Sequence, residues 1–457
     1  MKFIAVGATV ATMVMTGALS IPAQADVTQT GVTAAAASAP AVKAAPVAAK
    51  KKKKKWEPPT GAFFNIPRGT DLAQQWTIER QIVAAINHTP KGEYIRISVF
   101  SFDRMPVADA LIRARKRGVR VQILMNNHQQ NSAMYKMYKQ IGKSRKKRNF
   151  AYRCTFGCRS GFENLHSKFF LFSKTGGAEN VTMLGSTNLT ANAAINQWND
   201  LYVMKDNATV HKHFVTLFNQ MRKDKKVKNP YYKVDLGKRY QLQVMPFNGF
   251  NKRNDPMMKV LNRVKCTGAY GAPAGVKGRT MIRIHMHAWH TKRGEWLAAK
   301  TRDLYAQGCD VKVMYGMASA PVRKIFATKT KRGALPVHIN GYDTDLDELI
   351  DLYGHEKMLT IAGNWNGDTK ARYTWTGSSN WANSGMRGDE LIFRIKGDGV
   401  LRTYHKNFNY IWKYRSHLAK YIDYGRNSTL SNGTNLRMAP QQQETFPKPG
   451  GPAWEEG

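Results

Sequence analysis

The feature that most constrains the fold of this chain is an internal repeat of a strand, a helix and a second strand. In the first half, residues 96–102 alternate like a buried strand, residues 107–117 predict a helix that stops at Gly118, and residues 119–125 predict another strand. Residues 283–289, 296–307 and 311–315 repeat this order, with Gly308 after the helix. Such βαβ units have parallel strands covered by helices. The sequence therefore predicts a duplicated α/β fold, with halves at about 61–228 and 233–423.

An amphipathic helix is also expected upstream of each βαβ unit. The second half carries the clearer pattern, with Met257, Val260, Leu261 and Val264 at helical spacing.

Each repeat is followed by the same chemical pattern, His-x-Lys and then Gly-Ser-x-Asn. Residues two apart in a strand point the same way, so each half presents an imidazole beside an ammonium group. One His-x-Lys is uninformative, but two at the same place in a repeat, each with a trailing Gly-Ser-x-Asn, form a specific signal. The residues are His166, Lys168, Ser186 and Asn188 in the first half, and His355, Lys357, Ser378 and Asn380 in the second.

These paired motifs resemble those of the phospholipase D superfamily, and the resemblance covers about residues 61–423. It implies a phospholipase D-like fold of two mixed or parallel sheets flanked by helices, related by a pseudo-twofold axis that brings both motifs into one site. It further implies that one of His166 and His355 attacks phosphorus while the other protonates the leaving oxygen. By analogy, His166 is favoured as the nucleophile.

The residue chemistry agrees with this division of labour. Histidine titrates near neutrality, so one neutral copy can attack and one charged copy can act as an acid at the same pH. The motif lysines and asparagines supply positive charge and hydrogen-bond donors to the phosphoryl oxygens, and Ser186 and Ser378 add hydroxyl donors. This chemistry requires no metal and no other cofactor.

Two acidic residues follow the Gly-Ser-x-Asn motifs, each ahead of a strand: Asp200 and Glu390. The resemblance implies that a carboxylate here orients a catalytic histidine; the alternative is a solvated charge at a strand end. The family usually has Asp five residues after the motif lysine, whereas this chain has Ser173 and Ala362. Hairpin insertions at 174–179 and 363–370 are predicted, and Asp368 is a candidate substitute for the missing carboxylate.

Two further groups have alternative interpretations. His285, His287 and His290 are candidates either for a metal site or, as we favour, for the lining and hydrogen bonds of the pocket. The four cysteines suggest one disulfide between Cys154 and Cys158 and another between Cys266 and Cys309, although three connectivities, free thiols and a zinc site at the first pair stay open.

The ends of the chain differ in composition from its centre. An apolar run over residues 3–21, followed by Ala-Gln-Ala at 23–25, predicts an export signal cleaved after Ala25 and a secreted protein rather than a membrane-anchored one. Residues 26–55 form an Ala/Pro/Lys leader without aromatic residues, and residues 426–457 form a polar tail; both are expected to be flexible. The intervening domains are predicted at 56–232 and 233–425.

The formal net charge is +40, of which +33 belongs to the chain from Trp56 onward. Such a surface attracts polyanions, so nucleic acid, anionic lipid surfaces and acidic polymers are all compatible partners, with peripheral membrane contact and a monomeric state expected. Three hypotheses follow: a phospholipase D that hydrolyses phosphatidyl esters, a metal-independent nuclease of DNA or RNA, and a non-catalytic polyanion-binding protein. We favour the first. A phospholipase needs an apolar rim, which Phe156, Phe162, Trp365 and Trp381 near the motifs could provide, whereas a nuclease would stack bases on the same rings.

Overall fold

The computed structural model describes residues 55–271, 273, 276–344 and 350–419, and the backbone of two short antiparallel strands at 427–429 and 435–437. The predicted export signal, the leader up to Lys54 and most of the predicted tail lie outside these residues. Within the described part of the chain, no helix has both the length and the apolar character needed to cross a membrane.

The first half forms a seven-stranded mixed sheet with the strand order β1-β8-β6-β5-β2-β3-β4, while β7 lies outside it. Its strands are β1 (Gly61–Phe64), β2 (Tyr94–Val99), β3 (Arg120–Asn126), β4 (Phe150–Cys154), β5 (Phe169–Thr175), β6 (Ala178–Gly185), β7 (Gln197–Trp198) and β8 (Asp200–Met204). Its helices are α1 (Leu72–Gln75), α2 (Thr77–His88), α3 (Met105–Lys116), α4 (Ser132–Ile141), α5 (Ala191–Ile195) and α6 (Ala208–Met221).

The second half forms a larger mixed sheet. Its strands are β9 (Tyr232–Leu236), β10 (Tyr240–Val244), β11 (Val264–Lys265), β12 (Met281–Trp289), β13 (Asp310–Ala318), β14 (Val337–Ile339), β15 (Gly341–Tyr342), β16 (Leu352–Gly354), β17 (Lys357–Trp365), β18 (Asp368–Gly377), β19 (Leu391–Lys396) and β20 (His417–Leu418). Its helices are α7 (Pro256–Asn262), α8 (Thr291–Ala306), α9 (Ala320–Ala327), α10 (Ser384–Arg387) and α11 (Asp398–Tyr414). The main sheet has the order β20-β14-β13-β12-β17-β18-β19-β10-β9, and β11 pairs with β17. Strands β15 and β16 lie outside this sheet.

The two sheets repeat one topology. The order β4-β3-β2-β5-β6-β8-β1 in the first half corresponds to β14-β13-β12-β17-β18-β19-β10 in the second. In both, the first three strands are parallel and the remaining pairs are antiparallel. The predicted duplicated α/β fold with mixed sheets flanked by helices is confirmed.

The βαβ units that the sequence predicted lie at the centre of each sheet. β2 pairs in parallel with β3, and helix α3 connects them in the chain. In the same way, β12 pairs in parallel with β13, and helix α8 connects them. Gly118 and Gly308 end these helices with φ values of 91° and 105°, a backbone region that favours glycine. Two helix boundaries differ from the prediction. Helix α7 ends at Asn262, and Val264 instead begins the short strand β11, which pairs with β17. Helix α8 begins at Thr291, five residues before the predicted start at 296.

A shared apolar core joins the two sheets. Helices α6 and α11 contribute Phe214 and Tyr404 to this core, together with Phe169 from the first sheet and Met358 and Phe393 from the second. Two further cores lie under the outer helices, one in each half. The sheets therefore face each other across α6 and α11, and the motif strands β5 and β17 both border this interior.

A small third sheet connects the halves directly. β7 of the first half pairs in parallel with β16 of the second, and β16 also pairs with β15. The two suggested disulfides are present: Cys154 with Cys158, and Cys266 with Cys309. The first joins two cysteines four positions apart, at the start of the loop that leads into His166. The second joins two cysteines 43 positions apart in the second half.

Candidate active site

The first motif histidine is held by residues of the other half. The backbone N–H of His166 donates to the carbonyl of Asp389 at 3.1 Å, and its Nδ1 lies 2.8 Å from Oε1 of Glu390. The side chain of His166 is only 2% exposed. When Glu390 is ionised, its carboxylate accepts the Nδ1 proton, so the neutral ring keeps its lone pair on Nε2.

The second motif histidine has the reciprocal arrangement. The backbone N–H of His355 donates to the carbonyl of Trp198 at 2.9 Å, and its Nδ1 lies 2.6 Å from Oδ1 of Asn199. The ring is fully buried. Because the amide oxygen only accepts, Nδ1 carries the proton here as well. Each histidine is thus oriented from the opposite half, and the site is complete only when both halves are in place.

The residue that orients His355 is Asn199, whereas Asp200 was the predicted candidate. Asn199 and Glu390 occupy equivalent positions, because the hydroxyl of Ser186 donates to Asn199 at 2.8 Å and the hydroxyl of Ser378 donates to Glu390. The serines of the two Gly-Ser-x-Asn motifs therefore fix the groups that orient the histidines.

Asp200 takes a different place one residue further along. Its carboxylate accepts the backbone N–H of Ser186 at 3.0 Å, the hydroxyl of Tyr404 at 2.6 Å and the hydroxyl of Thr376. It is fully buried and ties β6, β18 and α11 together. Glu390, by contrast, lies where the resemblance implied, against a motif histidine.

The two motif lysines are buried beside the histidines. Nζ of Lys168 donates to the carbonyl of His166 at 2.7 Å, and Nζ of Lys357 donates to the carbonyl of His355 at 2.8 Å. Both ammonium groups act electrostatically on His355 and on Glu390. The structure therefore brings the two His-x-Lys motifs and Glu390 into one charged cluster.

The motif asparagines lie at equivalent places in the two halves. Oδ1 of Asn188 accepts the backbone N–H of Ser101 at 3.2 Å, and its buried Nδ2 has no hydrogen-bond partner within the described residues. A buried amide donor without a partner is costly, and a phosphoryl oxygen would satisfy it. The carbonyl of Asn380 accepts Nη1 of Arg293, a buried residue that also pairs with Asp255 at 2.7 Å.

The glycine of each Gly-Ser-x-Asn motif is required by a close approach of two strands. A Cβ atom at Gly185 would lie 2.2 Å from the carbonyl oxygen of Asp200, and one at Gly377 would lie 2.3 Å from that of Leu391. Real Cβ atoms do not approach backbone this closely, so a larger residue would push the serine and asparagine that follow out of the site.

Burial and positive charge shape the protonation of the site. Burial lowers the pKa of His355 well below its ordinary value, and nearby Lys357, His287, Lys168 and His166 lower it further. Burial raises the pKa of Glu390 to about 8, against the opposing effect of Lys168, the Ser378 hydroxyl and Lys357. An anionic substrate bound between the lysines would reverse the effect on His355 by stabilising its protonated form.

Aromatic neighbours distinguish the two histidines. The ring of Phe100 packs edge-on against His166 at 5.1 Å, and His287 takes the same position against His355 at 5.0 Å. Nδ1 of His287 donates to the carbonyl of Gly354 at 2.9 Å. His287 therefore lines the site.

The other two histidines of the cluster, His285 and His290, make contacts within the second half. His285 lies 3.4 Å from the carboxylate of Glu356 and 3.2 Å from the amide oxygen of Asn340. Burial lowers the pKa of His290 to about 4, so its ring is neutral at physiological pH. Neither ring was predicted to act in catalysis, and these contacts are structural.

A second unpredicted residue near the site, after Asn199, is His128. His128 stacks on Phe100 at 4.0 Å, its Nε2 lies 3.0 Å from the Ser101 hydroxyl, and burial together with Lys168 and His166 lowers its pKa to about 4. The available signal was its position just after β3, because the carboxyl ends of parallel strands meet at one edge of a sheet.

The expected apolar rim is only partly present. Trp365 and Trp381 are buried in the core of the second half, whereas Phe156 is 54% exposed in the loop before His166. The positions of the missing family aspartates lie within strands: Ser173 accepts the N–H of Tyr94 at 2.7 Å, and Ala362 pairs with Met281 of β12. Both are sheet positions rather than positions in the charged cluster.

Comparisons with known proteins find a similar domain and a similar fold. Residues 82–222 match the sequence profile of a family described as "Cardiolipin synthase, PLD-like domain". No curated protein matches the chain. The fold is similar to that of phosphatidylserine synthase from Haemophilus influenzae, with a TM-score of 0.52 and 14% identity over 76% of this chain and 86% of that one. The chain is therefore similar to PLD-like domains in the sequence of residues 82–222 and to phosphatidylserine synthase in its fold.

Two other solved structures are less similar. Polyphosphate kinase from Porphyromonas gingivalis has a TM-score of 0.47 and 11% identity over 76% of this chain, which spans about half (49%) of that protein. Nuc from Salmonella typhimurium, a phospholipase D family member, has a TM-score of 0.27 and 16% identity over 36% of this chain and 94% of that one.

Proposed function

We propose that the protein is a phosphodiester hydrolase that works through a covalent phosphohistidine at His166. The observation that carries the assignment is the difference between the two Nδ1 partners, Glu390 for His166 and Asn199 for His355. A ring gains positive charge as its Nε2 bonds to phosphorus, and a carboxylate stabilises that charge more than an amide oxygen does.

In the first step, Nε2 of His166 attacks phosphorus and the bond from phosphorus to the leaving oxygen breaks. The leaving oxygen takes the proton from Nε2 of His355, which leaves that ring neutral. The negative substrate between Lys168 and Lys357 offsets the effects that lower the pKa of His355, so the ring holds this proton until the leaving oxygen needs it.

In the second step, neutral His355 removes a proton from water as the water oxygen attacks phosphorus. The bond between phosphorus and Nε2 of His166 breaks, and the phosphoryl group leaves with both His166 and His355 restored. The two lysines and the Nδ2 donor of Asn188 face the charge that gathers on the phosphoryl oxygens. His166, His355 and water account for every bond and proton in the two steps, so these steps require no metal ion.

Two classes of phosphodiester substrate fit such a site. Hydrolysis of a phosphatidyl ester, the activity of a phospholipase D, needs an apolar rim, and exposed Phe156 supports that candidate. Two of the four aromatic residues expected at the rim are buried, however, and the chain from Trp56 onward carries a charge of +33. These observations favour a nucleic-acid substrate, with phospholipase D activity as the second candidate.

We also propose that the protein is exported and acts outside the cytoplasm. The apolar segment at residues 3–21 with its Ala-Gln-Ala site supports export, and so do the two disulfides, which persist mainly in oxidising compartments.

The test uses the purified protein and the variants His166→Ala and His355→Ala, all with EDTA present. Each is incubated separately with bis(p-nitrophenyl) phosphate, with single-stranded and plasmid DNA, and with phosphatidylcholine vesicles. We expect hydrolysis of the small diester and of DNA by the wild type, reduced in both variants by at least about 10³-fold.

Other outcomes would change the proposal. Choline release from vesicles without DNA cleavage would replace the nuclease assignment by phospholipase D. Turnover that survives both substitutions, or that EDTA abolishes, would contradict the two-histidine mechanism itself.

A further inference from the structure

We propose that a strip of basic residues along β4 binds the phosphate backbone of a single-stranded nucleic acid and directs it toward the site. This inference rests on the proposed phosphodiesterase function and names the substrate class of that site. The basic strip comprises eight exposed residues: Lys143, Lys146, Lys147, Arg148, Lys223, Lys225, Lys226 and Lys228.

The strip is one surface built from two separate segments. The first, residues 143–148, enters β4, which is the outermost strand of the first sheet, and the second, residues 223–228, follows α6. Arg222 joins them, because its Nε donates to the carbonyl of Arg145 at 2.6 Å and its Nη2 donates to the carbonyl of Lys147 at 3.0 Å. These bonds hold the two lysine-rich segments side by side.

The second segment leads from this point to the active-site loop, residues 154–165, which runs directly into His166. The backbone N–H of Val227 donates to the carbonyl of Arg159 at 2.9 Å. A Cβ atom at Gly161 would lie 3.3 Å from the Cβ of Lys226. The five residues of β4 span about 17 Å, so the strip extends roughly that far from the loop along the sheet edge.

The strip residues lack ion-pair partners among the residues that the structure describes. None of its eight residues forms an ion pair with an acidic side chain of the described part of the chain. Asp224, which lies within the second segment, accepts the hydroxyl of Tyr152 at 2.7 Å. A row of mutually repelling cations is stabilised when regularly spaced phosphates bind and release their counterions.

Aromatic rings accompany the cations, which favours nucleic acid over a lipid surface. Lys143 Nζ lies 5.2 Å from the ring of Tyr138, and Arg145 lies 5.2 Å from the ring of Tyr152. Single-strand binding sites combine a cationic path with aromatic rings on which bases stack.

The test compares two variants of the full chain, each with four lysines replaced by glutamine. The strip variant is K223Q/K225Q/K226Q/K228Q. The control variant is K324Q/K329Q/K331Q/K406Q, which removes the same charge from exposed positions of the second half. Binding of a fluorescein-labelled phosphorothioate oligothymidylate is followed by anisotropy over a series of salt concentrations, and thermal unfolding checks that both variants are folded.

We expect the strip variant to bind the oligothymidylate at least about tenfold more weakly than the control variant. Its slope of log affinity against log salt should fall by about 3, because each single-strand phosphate contact contributes about 0.7. Equal losses in the two variants, or unchanged binding by the strip variant, would overturn the proposal.

A lipid surface is the competing partner, and phosphatidylglycerol vesicles are its probe. Strip-dependent binding of the vesicles without binding of the oligothymidylate would also overturn the proposal. Hydrolysis of bis(p-nitrophenyl) phosphate is measured separately in the same preparations. Loss of hydrolysis would therefore contradict the proposed activity, whereas unchanged anisotropy of the oligothymidylate would contradict the role of the strip.

Discussion

Glu390 has an environment that ties its charge to that of His166. It is buried between His166 and the hydroxyl of Ser378, and burial raises its pKa to about 8. The ionised form, which accepts the Nδ1 proton and leaves Nε2 free to attack, becomes more populated as the pH rises toward that value. The nucleophile and the stability of the fold therefore depend on the same carboxyl group.

Replacing Glu390 by glutamine should change how stability depends on pH. A carboxyl group whose folded pKa is raised stabilises the fold below its unfolded pKa, and that contribution is lost as the pH rises to about 8. The wild type should therefore lose melting temperature between pH 5 and pH 8 more steeply than Glu390→Gln. Thermal unfolding followed by circular dichroism across this range measures the difference.

The matched control for this measurement is Glu179→Gln, which changes an exposed carboxyl group of the β5–β6 hairpin. Its pH dependence should parallel that of the wild type. Parallel curves for Glu390→Gln as well would contradict the raised pKa.

At the residue scale, the sequence predicted the motif residues but not all of their partners. The two His-x-Lys and Gly-Ser-x-Asn motifs repeat residue by residue, so their positions could be predicted from the sequence alone. Asn199 could not, because the two acids Asp200 and Glu390 suggested a different alignment. The register of β8 determines whether Asn199 or Asp200 faces His355, since a slip of one residue turns a side chain to the other face of a sheet.

At the scale of elements, the active-site loop connects a disulfide to the nucleophile. Cys154 and Cys158 close the start of this loop, and the backbone N–H of the next residue, Arg159, donates to the carboxylate of Asp389 at 2.9 Å. The carbonyl of Asp389 in turn accepts the N–H of His166 at 3.1 Å. The loop therefore positions His166 through a residue of the second half.

Removing each disulfide separately should mainly affect a different property: activity for the Cys154–Cys158 bond, and stability for the Cys266–Cys309 bond. Loss of the Cys154–Cys158 bond, by double substitution with serine, should lower kcat for bis(p-nitrophenyl) phosphate by about tenfold through misplacement of His166. Loss of the Cys266–Cys309 bond should lower the melting temperature more, because it closes 43 residues rather than 4. If the first variant keeps full kcat, the positioning role is wrong.

Long elements could be predicted from the sequence, and short ones could not. The central strands and the helices between them follow from apolar periodicity and from Gly118 and Gly308. The sheet that joins the halves consists of strands of two or three residues, β7, β15 and β16, which carry no periodic signal. The pairing of β16 with β7 joins residues more than 150 positions apart in the chain.

At the scale of the whole molecule, duplication explains why one site needs both halves. Each sheet supplies one His-x-Lys motif, and each supplies the group that orients the histidine of the other. Divergence between the copies then assigns different tasks to chemically identical residues. Phe100 and Glu390 contact His166, whereas His287 and Asn199 contact His355.

The most direct test of this account is to identify the histidine that becomes phosphorylated. His355→Ala lacks the proposed acid, but p-nitrophenolate leaves without one, so this variant should form the adduct from bis(p-nitrophenyl) phosphate and hydrolyse it slowly. The reaction is quenched, and the adduct is located by mass spectrometry of peptides. The account predicts a phosphoryl adduct on His166 that is absent from His166→Ala. An adduct on His355 in the wild type, or turnover without any histidine adduct, would contradict it.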